Sequence, residues 1–341
     1  MNYNLDIPAD DAEIISRIIL ELRKAGSVFI TMHARPDGDA IGAAMAMYYT
    51  LENLGIDTEI VAPDPCPLVY RFLRDTDIIK TSYPSAKKDV GIVLDCSDEK
   101  RLENIPDILD YADVTINIDH HMHNPEFGSI NYIRPGCSST CEMIFNIISR
   151  MNIDLDYETA LCIYVGIITD TNKFQEDNTT PRAHIIAAEL IEKFISPVKV
   201  TSLIYGNNNL NTFHLLSMAI DSLKLSPSGR IGYITVSNEM LKTTGTSNED
   251  LEGLINYARN IRGVEVGVLF RNIPDKNGVK VSFRSKGHID VSKVAGYFGG
   301  GGHHNAAGCL VEGDFDEVRL KILGAVEKDL NKHHGRSRKR K

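Results

Sequence analysis

The sequence predicts an α/β protein of two domains, a larger one on a mainly parallel sheet and a smaller α/β one after it, with a cleft between them. Three observations carry this expectation. Short apolar runs of strand type alternate with helical stretches through the first half of the chain. A polar, turn-rich stretch with Pro197 and Gly206-Asn207-Asn208-Asn209 then interrupts the pattern. Beyond it, strands and helices return with a different rhythm. The predicted division is residues 1–195, a linker at 196–212, a second domain at 213–331 and a basic tail at 332–341.

Taking the elements in order, Asp10 is expected to cap a helix whose apolar positions Ile14, Ile15, Ile18, Ile19 and Leu22 recur at helical spacing before Gly26. A buried strand follows at Val28–Met32, then a helix over Ala40–Leu54 ending at Gly55, and a strand at Ile56–Ala62. Val90–Leu94 and Val114–Ile118 are further strands, and strands alternating with helices imply right-handed crossovers. Helices are predicted at Ser139–Met151, Tyr157–Asp170, Pro181–Phe194 and Val198–Ile204. In the second domain, strands are expected at Ile231–Ser237, Val264–Phe270, Val279–Arg284 and Cys309–Val311, with helices at Leu251–Asn260 and Val291–Phe298.

Composition narrows the class. With 341 residues, 43% hydrophobic and 24% charged, the chain has material for two ordinary cores. No stretch approaches the roughly 18–20 apolar residues of a membrane span, and the polar, acidic start does not resemble a signal peptide. A cytoplasmic protein with no membrane partner is therefore expected. Six cysteines without a CxxC pair do not suit a disulfide scaffold; Cys96, Cys137, Cys141, Cys162 and Cys309 are expected as buried thiols and Cys66, between two prolines, in a loop. The net charge of −9 disfavours a long duplex as partner and fits a small or short anion. Only the tail Gly335–Lys341 is basic, which suits a solvated end, with a weak electrostatic tether to RNA as the alternative.

Four segments carry the chemistry. His33-Ala34-Arg35-Pro36-Asp37-Gly38-Asp39 follows the first strand, Leu94-Asp95-Cys96-Ser97-Asp98 the third, and Ile118-Asp119-His120-His121 the fourth, while Thr169-Asp170-Thr171-Asn172-Lys173-Phe174 ends a helix. Ligands of open α/β sheets bind beyond the carboxyl ends of the strands. Several carboxylates and imidazoles gathered there are costly unless a metal neutralises them. Gly38 is expected to permit a sharp exit that aims Asp37 and Asp39 into one site, with Asp39 near the dipole of the next helix.

The order and wording of these segments resemble the DHH phosphoesterase superfamily, in the branch with a DHHA1 second domain. The run Gly299-Gly300-Gly301-Gly302-His303-His304-Asn305-Ala306-Ala307-Gly308 matches that domain's signature. The overlap extends from about Val28 to Val311, and the bacterial oligoribonuclease/pAp-phosphatase branch is the nearest. Asn172 stands where many relatives have Gly.

The resemblance, with the donor chemistry, implies two metal sites: His33, Asp37 and Asp95 at one, and Asp39, Asp95, His120 and Asp170 at the other. Carboxylate and imidazole ligands without thiolate favour Mn²⁺, two per site, with Mg²⁺, Co²⁺ or Zn²⁺ as lesser occupants. Two such ions about 3.5–4 Å apart suit in-line displacement at phosphorus. Asp119 would orient an imidazole, and His121 would face the scissile phosphate as the catalytic group. In the second domain, Arg284, Ser285, Gly300, Gly301, Gly302 and His303 would bind a distal phosphate. Arg262 and Ser138-Ser139-Thr140 are weaker candidates.

The implied activity is manganese-dependent hydrolysis of short oligoribonucleotides or 3′-phosphoadenosine 5′-phosphate (pAp), by a homodimer acting on small nucleotides or short single-stranded RNA. A cyclic di-AMP or pApA phosphodiesterase is the enzymatic alternative. Pyrophosphatases lack the glycine-histidine domain, RecJ exonucleases should be longer, and a catalytically dead nucleotide sensor is the alternative outside enzymes.

Overall fold

The computed structural model describes residues 9–337 apart from 252, 274–277, 288 and 303. His303 and the end of the basic tail, residues 338–341, thus lie outside the described residues. The chain divides into two compact units between Asn207 and Asn208, and each is described by itself.

The first unit runs α1 (Ala9–Lys24), β1 (Ser27–Met32), α2 (Gly38–Asn53), β2 (Asp57–Ile60), β3 (Lys88–Leu94), β4 (Ala112–Asp119), β5 (Ile130–Ile133), α3 (Thr140–Met151), α4 (Tyr157–Asp170), α5 (Pro181–Glu192) and α6 (Pro197–Tyr205). Its sheet has the order β2-β1-β3-β4-β5 with every pairing parallel. Both faces are covered. Val28, Ile30, Met32, Val90, Ile92 and Leu94 point into one core, while Phe29 and Val93 point into another. That double burial explains why the strands are nearly continuous apolar runs.

Several expectations need correction. α1 already begins at Ala9, so Asp10 lies within it rather than capping it. α2 begins at Gly38, two residues before the predicted start, because Asp37 serves as its N-cap and accepts from the amides of Asp39 and Ala40. Gly38 itself has no left-handed backbone; a Cβ there would fall 2.5 Å from Thr169 Oγ1, so close packing on α4 is what demands glycine. Strand β5 has no counterpart among the predicted elements. The short helix expected at Val198–Ile204 is present as α6, which sends Val200 into the first core.

The second unit contains α7 (Leu210–Asp221), β6 (Lys224–Leu225), β7 (Ile231–Val236), α8 (Asn238–Thr244), α9 (Leu254–Arg259), β8 (Val266–Ile273), β9 (Gly278–Ser285), α10 (Val291–Gly296), β10 (Gly301–Gly302), β11 (Ala306–Glu312) and α11 (Phe315–Ser337). Its sheet is mixed, ordered β10-β11-β9-β8-β7-β6, with β7 and β8 parallel and the other pairs antiparallel. Helices α7, α8 and α11 are additions to the predicted elements. Part of the glycine run is strand rather than loop: Gly301 and Gly302 pair with Gly308 and Ala307. No helix among the described residues is long and apolar enough to cross a membrane.

Candidate active site

Three adjacent strands, β1, β3 and β4, deliver the chemistry to one edge of the parallel sheet. His33 follows β1 with 3% exposure, and Asp95 follows β3 with 2%. Asp119 ends β4 and His120 comes next, both buried. Asp95 has a left-handed backbone, φ +53°, which turns its side chain out of the strand at the sheet edge. Aspartate is among the few side chains that adopt this region readily.

The helices bring the rest. Asp39, in the first turn of α2, is fully buried, and its carboxylate is not held by its own helix. It accepts instead from the first amides of α3, Thr140 N at 2.6 Å and Cys141 N at 2.9 Å. The positive end of α3 thus stabilises the charge. Asp170 is the last residue of α4. A Cβ on Gly166 would lie 2.7 Å from Asp39 Oδ1, and one on Gly42 would collide with the Cys162 carbonyl, so α2 and α4 approach to backbone contact here.

His33 Nδ1 lies 2.8 Å from the Ala34 carbonyl, to which it can only donate, and this leaves Nε2 3.3 Å from Asp95 Oδ2. His120 is arranged the same way: Nδ1 is 3.3 Å from the Cys137 carbonyl, and Nε2 faces Asp170 Oδ2 at 3.5 Å, Asp95 Oδ1 at 3.6 Å and Asp39 Oδ2 at 3.9 Å. Ligands some 2.1–2.2 Å from a shared ion lie roughly 3–3.5 Å from one another. Candidate donor atoms lie within 4.8 Å of each other in three sets: His33, Asp37 and Asp95; Asp39, His120 and Asp170; and Asp95, His120 and His121. Among the described residues, the ion pairs of Asp39, Asp95 and Asp170 are with imidazoles alone. The donors therefore fit divalent cations that prefer oxygen and nitrogen.

Electrostatics agree. Burial, with Asp95 beside it, pushes the Asp39 carboxyl up to about 7. Burial also drives Asp170 well above the carboxylate range, and Asp39 and Asp95 add to the rise. Burial acts against ionisation of Asp95 too, but the His33 hydrogen bond and nearby imidazoles hold its pKa below the usual range. For His120, burial opposes protonation, yet the surrounding Asp170, Asp95 and Asp39 raise it to about 9. These are the shifts of carboxylates and imidazoles crowded together away from water.

Beside the clusters, His121 Nδ1 lies 2.6 Å from Asp119 Oδ1. Asp119 Oδ2 accepts from Asn124 Nδ2 at 2.7 Å, and the same amide reaches Asn117 Oδ1. Asn117 and Asn124 are contacts that sequence reasoning does not assign, while Thr140, one of the weaker candidates, donates its hydroxyl to Asp95 Oδ1 at 3.1 Å. Ser139 caps α3, so its segment serves the carboxylates directly.

After Asp170 the chain makes an unusual turn. Asn172, Lys173 and Phe174 are all left-handed, at φ +45°, +63° and +62°. Each such residue costs on the order of 1–2 kcal/mol, least for Asn, which accounts for Asn172 as a tolerable replacement for Gly. Lys173 Nζ sits 4.0 Å above the Tyr205 ring, and Phe174 stacks on His184 at 4.6 Å.

Of the predicted second-unit residues that the structure describes, Arg284 and Ser285 lie on β9, and Gly300, Gly301 and Gly302 lie at β10 against β11. Arg284 is half-buried opposite Ala306 and Gly267, with Nη1 donating to the Phe283 carbonyl at 3.0 Å. Ser285 is buried, and its hydroxyl donates to Asn305 Oδ1 at 2.9 Å. Gly300 lies against β11, where a Cβ would collide with the Gly308 carbonyl, and Gly302 has φ +140°. Packing and backbone conformation therefore already require these glycines. Arg262 is exposed.

Comparison with known proteins agrees with this geometry. Residues 27–167 match the DHH family, N-terminal domain, and residues 232–331 the DHHA1 domain. The chain is 31% identical to the bifunctional oligoribonuclease and PAP phosphatase NrnA of Thermus thermophilus, over 93% of this chain and 94% of that protein. It belongs to the DHH family. Within this DHH/DHHA1 group it stands with the NrnA-type phosphoric ester hydrolases. The NrnA protein of Bacillus subtilis is 26% identical over 90% of this chain and 96% of its own length. The cyclic-di-AMP phosphodiesterase PdeA of Listeria monocytogenes is also 26% identical, but this chain spans only 50% of it. An exopolyphosphatase-related protein from Bacteroides fragilis shares the fold with a TM-score of 0.86, at 26% identity over 94% of this chain and 96% of that one.

Proposed function

We propose that this DHH-family chain hydrolyses short oligoribonucleotides and pAp with two Mn²⁺ ions. The observation that carries the reading is the three carboxylate–imidazole sets at the carboxyl edge of the sheet, two of them sharing Asp95 and two sharing His120, and all largely buried except for the exposed Asp37. His33, Asp37 and Asp95 would hold one ion, and Asp39, Asp95, His120 and Asp170 the other. Bound there, the ions would polarise phosphoryl oxygens and acidify the attacking water.

The chain's own groups do the rest. Asp119 fixes the proton of His121 on Nδ1, which leaves Nε2 to exchange a proton with the substrate. Arg284, Ser285, Gly300, Gly301 and Gly302, with His303, would hold a distal phosphate or base. In this division residues 1–195 carry the metals and 213–331 read the substrate. Six cysteines, all free and buried, support work in the reducing cytoplasm, and a homodimer accords with the family resemblance.

The likeness to PdeA supports a second reading, a phosphodiesterase of cyclic di-AMP and pApA. One Mn²⁺ assay compares pAp, pApA, cyclic di-AMP and RNAs of two to five residues. Turnover of pAp and the RNAs is expected; turnover of cyclic di-AMP alone would move the assignment to the second reading.

A further inference from the structure

We infer that Asn178 is a positioning residue that sets the spacing between Asp170 and Asp39, and that the left-handed turn Asn172–Phe174 exists to deliver it. The inference rests on the reading of Asp39, His120 and Asp170 as a divalent-ion site. Asn178 lies eight residues beyond Asp170, outside every helix and strand. Its amide nitrogen nevertheless returns to the Asp170 carboxylate, donating to Oδ2 at 2.8 Å and reaching the Asp170 carbonyl at 3.2 Å. The same nitrogen donates to the carbonyl of Ser138 at 2.8 Å.

Ser138 is what makes this contact more than a local loop closure. It stands two residues before Thr140, whose amide, with that of Cys141, grips the Asp39 carboxylate. One side-chain amide therefore ties Asp170, from α4, to the chain segment that holds Asp39, from α2. Both carboxylates face His120 Nε2, so the tie fixes two of the three donors around it. A short amide with two hydrogens can span such a pair of acceptors; a hydroxyl or an apolar side chain of similar size cannot.

Two further observations point the same way. Asn178 Oδ1 is buried and has no hydrogen-bond partner among the described residues. An unmet acceptor is costly, so the side chain is oriented by its nitrogen and for its nitrogen. The turn that brings the chain back keeps three successive side-chain-bearing residues in the left-handed region. It is tied down by Lys173 N to Ile168 O, by Gln175 N and Glu176 N to Thr171 O, and by the Lys173 and Phe174 ring contacts. Backbone strain persists only where surrounding structure over-determines it. Here the product of the strain is a reversal that lands Asn178 on Asp170.

The test is Mn²⁺ titration calorimetry on the metal-free full chain, comparing wild type, Asn178→Leu and Asp170→Asn, with thermal melts of each without metal. Leu keeps the branched heavy-atom skeleton of Asn, with more bulk, and removes the donor. Outer partners of metal ligands usually change affinity ten- to a hundredfold. The expected result is two ions bound by wild type, one of them weakened by that factor in Asn178→Leu, with a metal-free melt that stays cooperative though lowered by the lost hydrogen bonds. If Asp170→Asn loses an ion while Asn178→Leu binds both as tightly as wild type, the role of Asn178 is overturned and the metal site stands. Asn178 is likewise excluded from that role if Asn178→Leu lowers the metal-free melt and leaves binding unchanged. If wild type binds no Mn²⁺, or Asp170→Asn binds like wild type, the metal-site reading itself falls, and this inference with it.

Discussion

Replacing Asp95 by Asn tests the centre of the site with the least collateral damage. The residue is 2% exposed, left-handed at φ +53°, and faces His33, His120 and His121. Ala would add backbone strain of about 1–2 kcal/mol to the chemical change. Asn keeps the shape and tolerates that backbone, so it removes only the charge shared by the two clusters. Losing a ligand should cost each ion more than the ten- to a hundredfold typical of outer partners. A drop of about a thousandfold in kcat/KM, roughly 4 kcal/mol of transition-state stabilisation, is then expected. Metal-dependent stability gives an independent reading. At a hundredfold excess over Kd each ion stabilises by about 2.7 kcal/mol, so two contribute roughly 5 kcal/mol. For a unit of about 200 residues this is a rise of about 10–20 °C in Tm. Wild type should show that rise with Mn²⁺, and Asp95→Asn should lose most of it while keeping its far-ultraviolet circular dichroism. Retention of more than about a tenth of the activity, or an unchanged Mn²⁺ shift, would refute the shared-ligand reasoning.

Chelation followed by dialysis should abolish turnover, and Mn²⁺ should restore it better than Zn²⁺ or Ca²⁺, given carboxylates with imidazoles; full activity in excess chelator is the contrary result. Arg284→Ala should raise KM for pApA about ten- to a hundredfold with kcat little changed, since a charge-assisted hydrogen bond contributes roughly 1.5–3 kcal/mol. Bis(p-nitrophenyl) phosphate, with no distal nucleotide, should be nearly unaffected, and equal damage to both substrates would assign Arg284 to the chemical step. Burial of Glu59 opposes its ionisation, but hydrogen bonds from Lys88, Ser85 and Lys80 outweigh that and hold it at about 2, below its ordinary 4.5. The folded pKa is depressed, so this stabilisation is complete above about pH 4.5 and disappears as pH falls toward 2. Urea melts of Glu59→Gln should show a flatter loss of stability over that window, and a slope equal to wild type would contradict it.

The parts of this molecule that can be read from the sequence are those written locally. Val28–Met32 and Val90–Leu94 are apolar on both faces because the sheet is covered on both, and the acidic and histidine segments follow directly after such runs. What cannot be read are contacts between distant segments. Nothing near Asp39 in sequence announces that its carboxylate is held by amides about a hundred residues away, or that Asn178 returns to Asp170. Helix α7 buries only Leu215 and Ala219, too faint a stripe for periodicity to reveal. Helix α11 is hidden for a different reason. Its buried Val318, Ile322, Val326 and Leu330 recur every fourth residue, but they are diluted by charges on the remaining faces.

The close approach of α2 to α4 changes how variation in this chain should be judged. By helix propensity alone, Gly42→Ala in the middle of α2 is a gain of up to about 1 kcal/mol. Here the added methyl would run into the Cys162 carbonyl. The helices would have to separate, and the separation would carry Asp39 away from Asp170 without altering either residue. The tolerance of the carboxylate pair is thus a machining tolerance on helix spacing, held at positions with no side chain. A survey that ranks sites by the chemistry of their side chains would pass over Gly38, Gly42 and Gly166, though a lesion there would spread the carboxylates while leaving each of them in place.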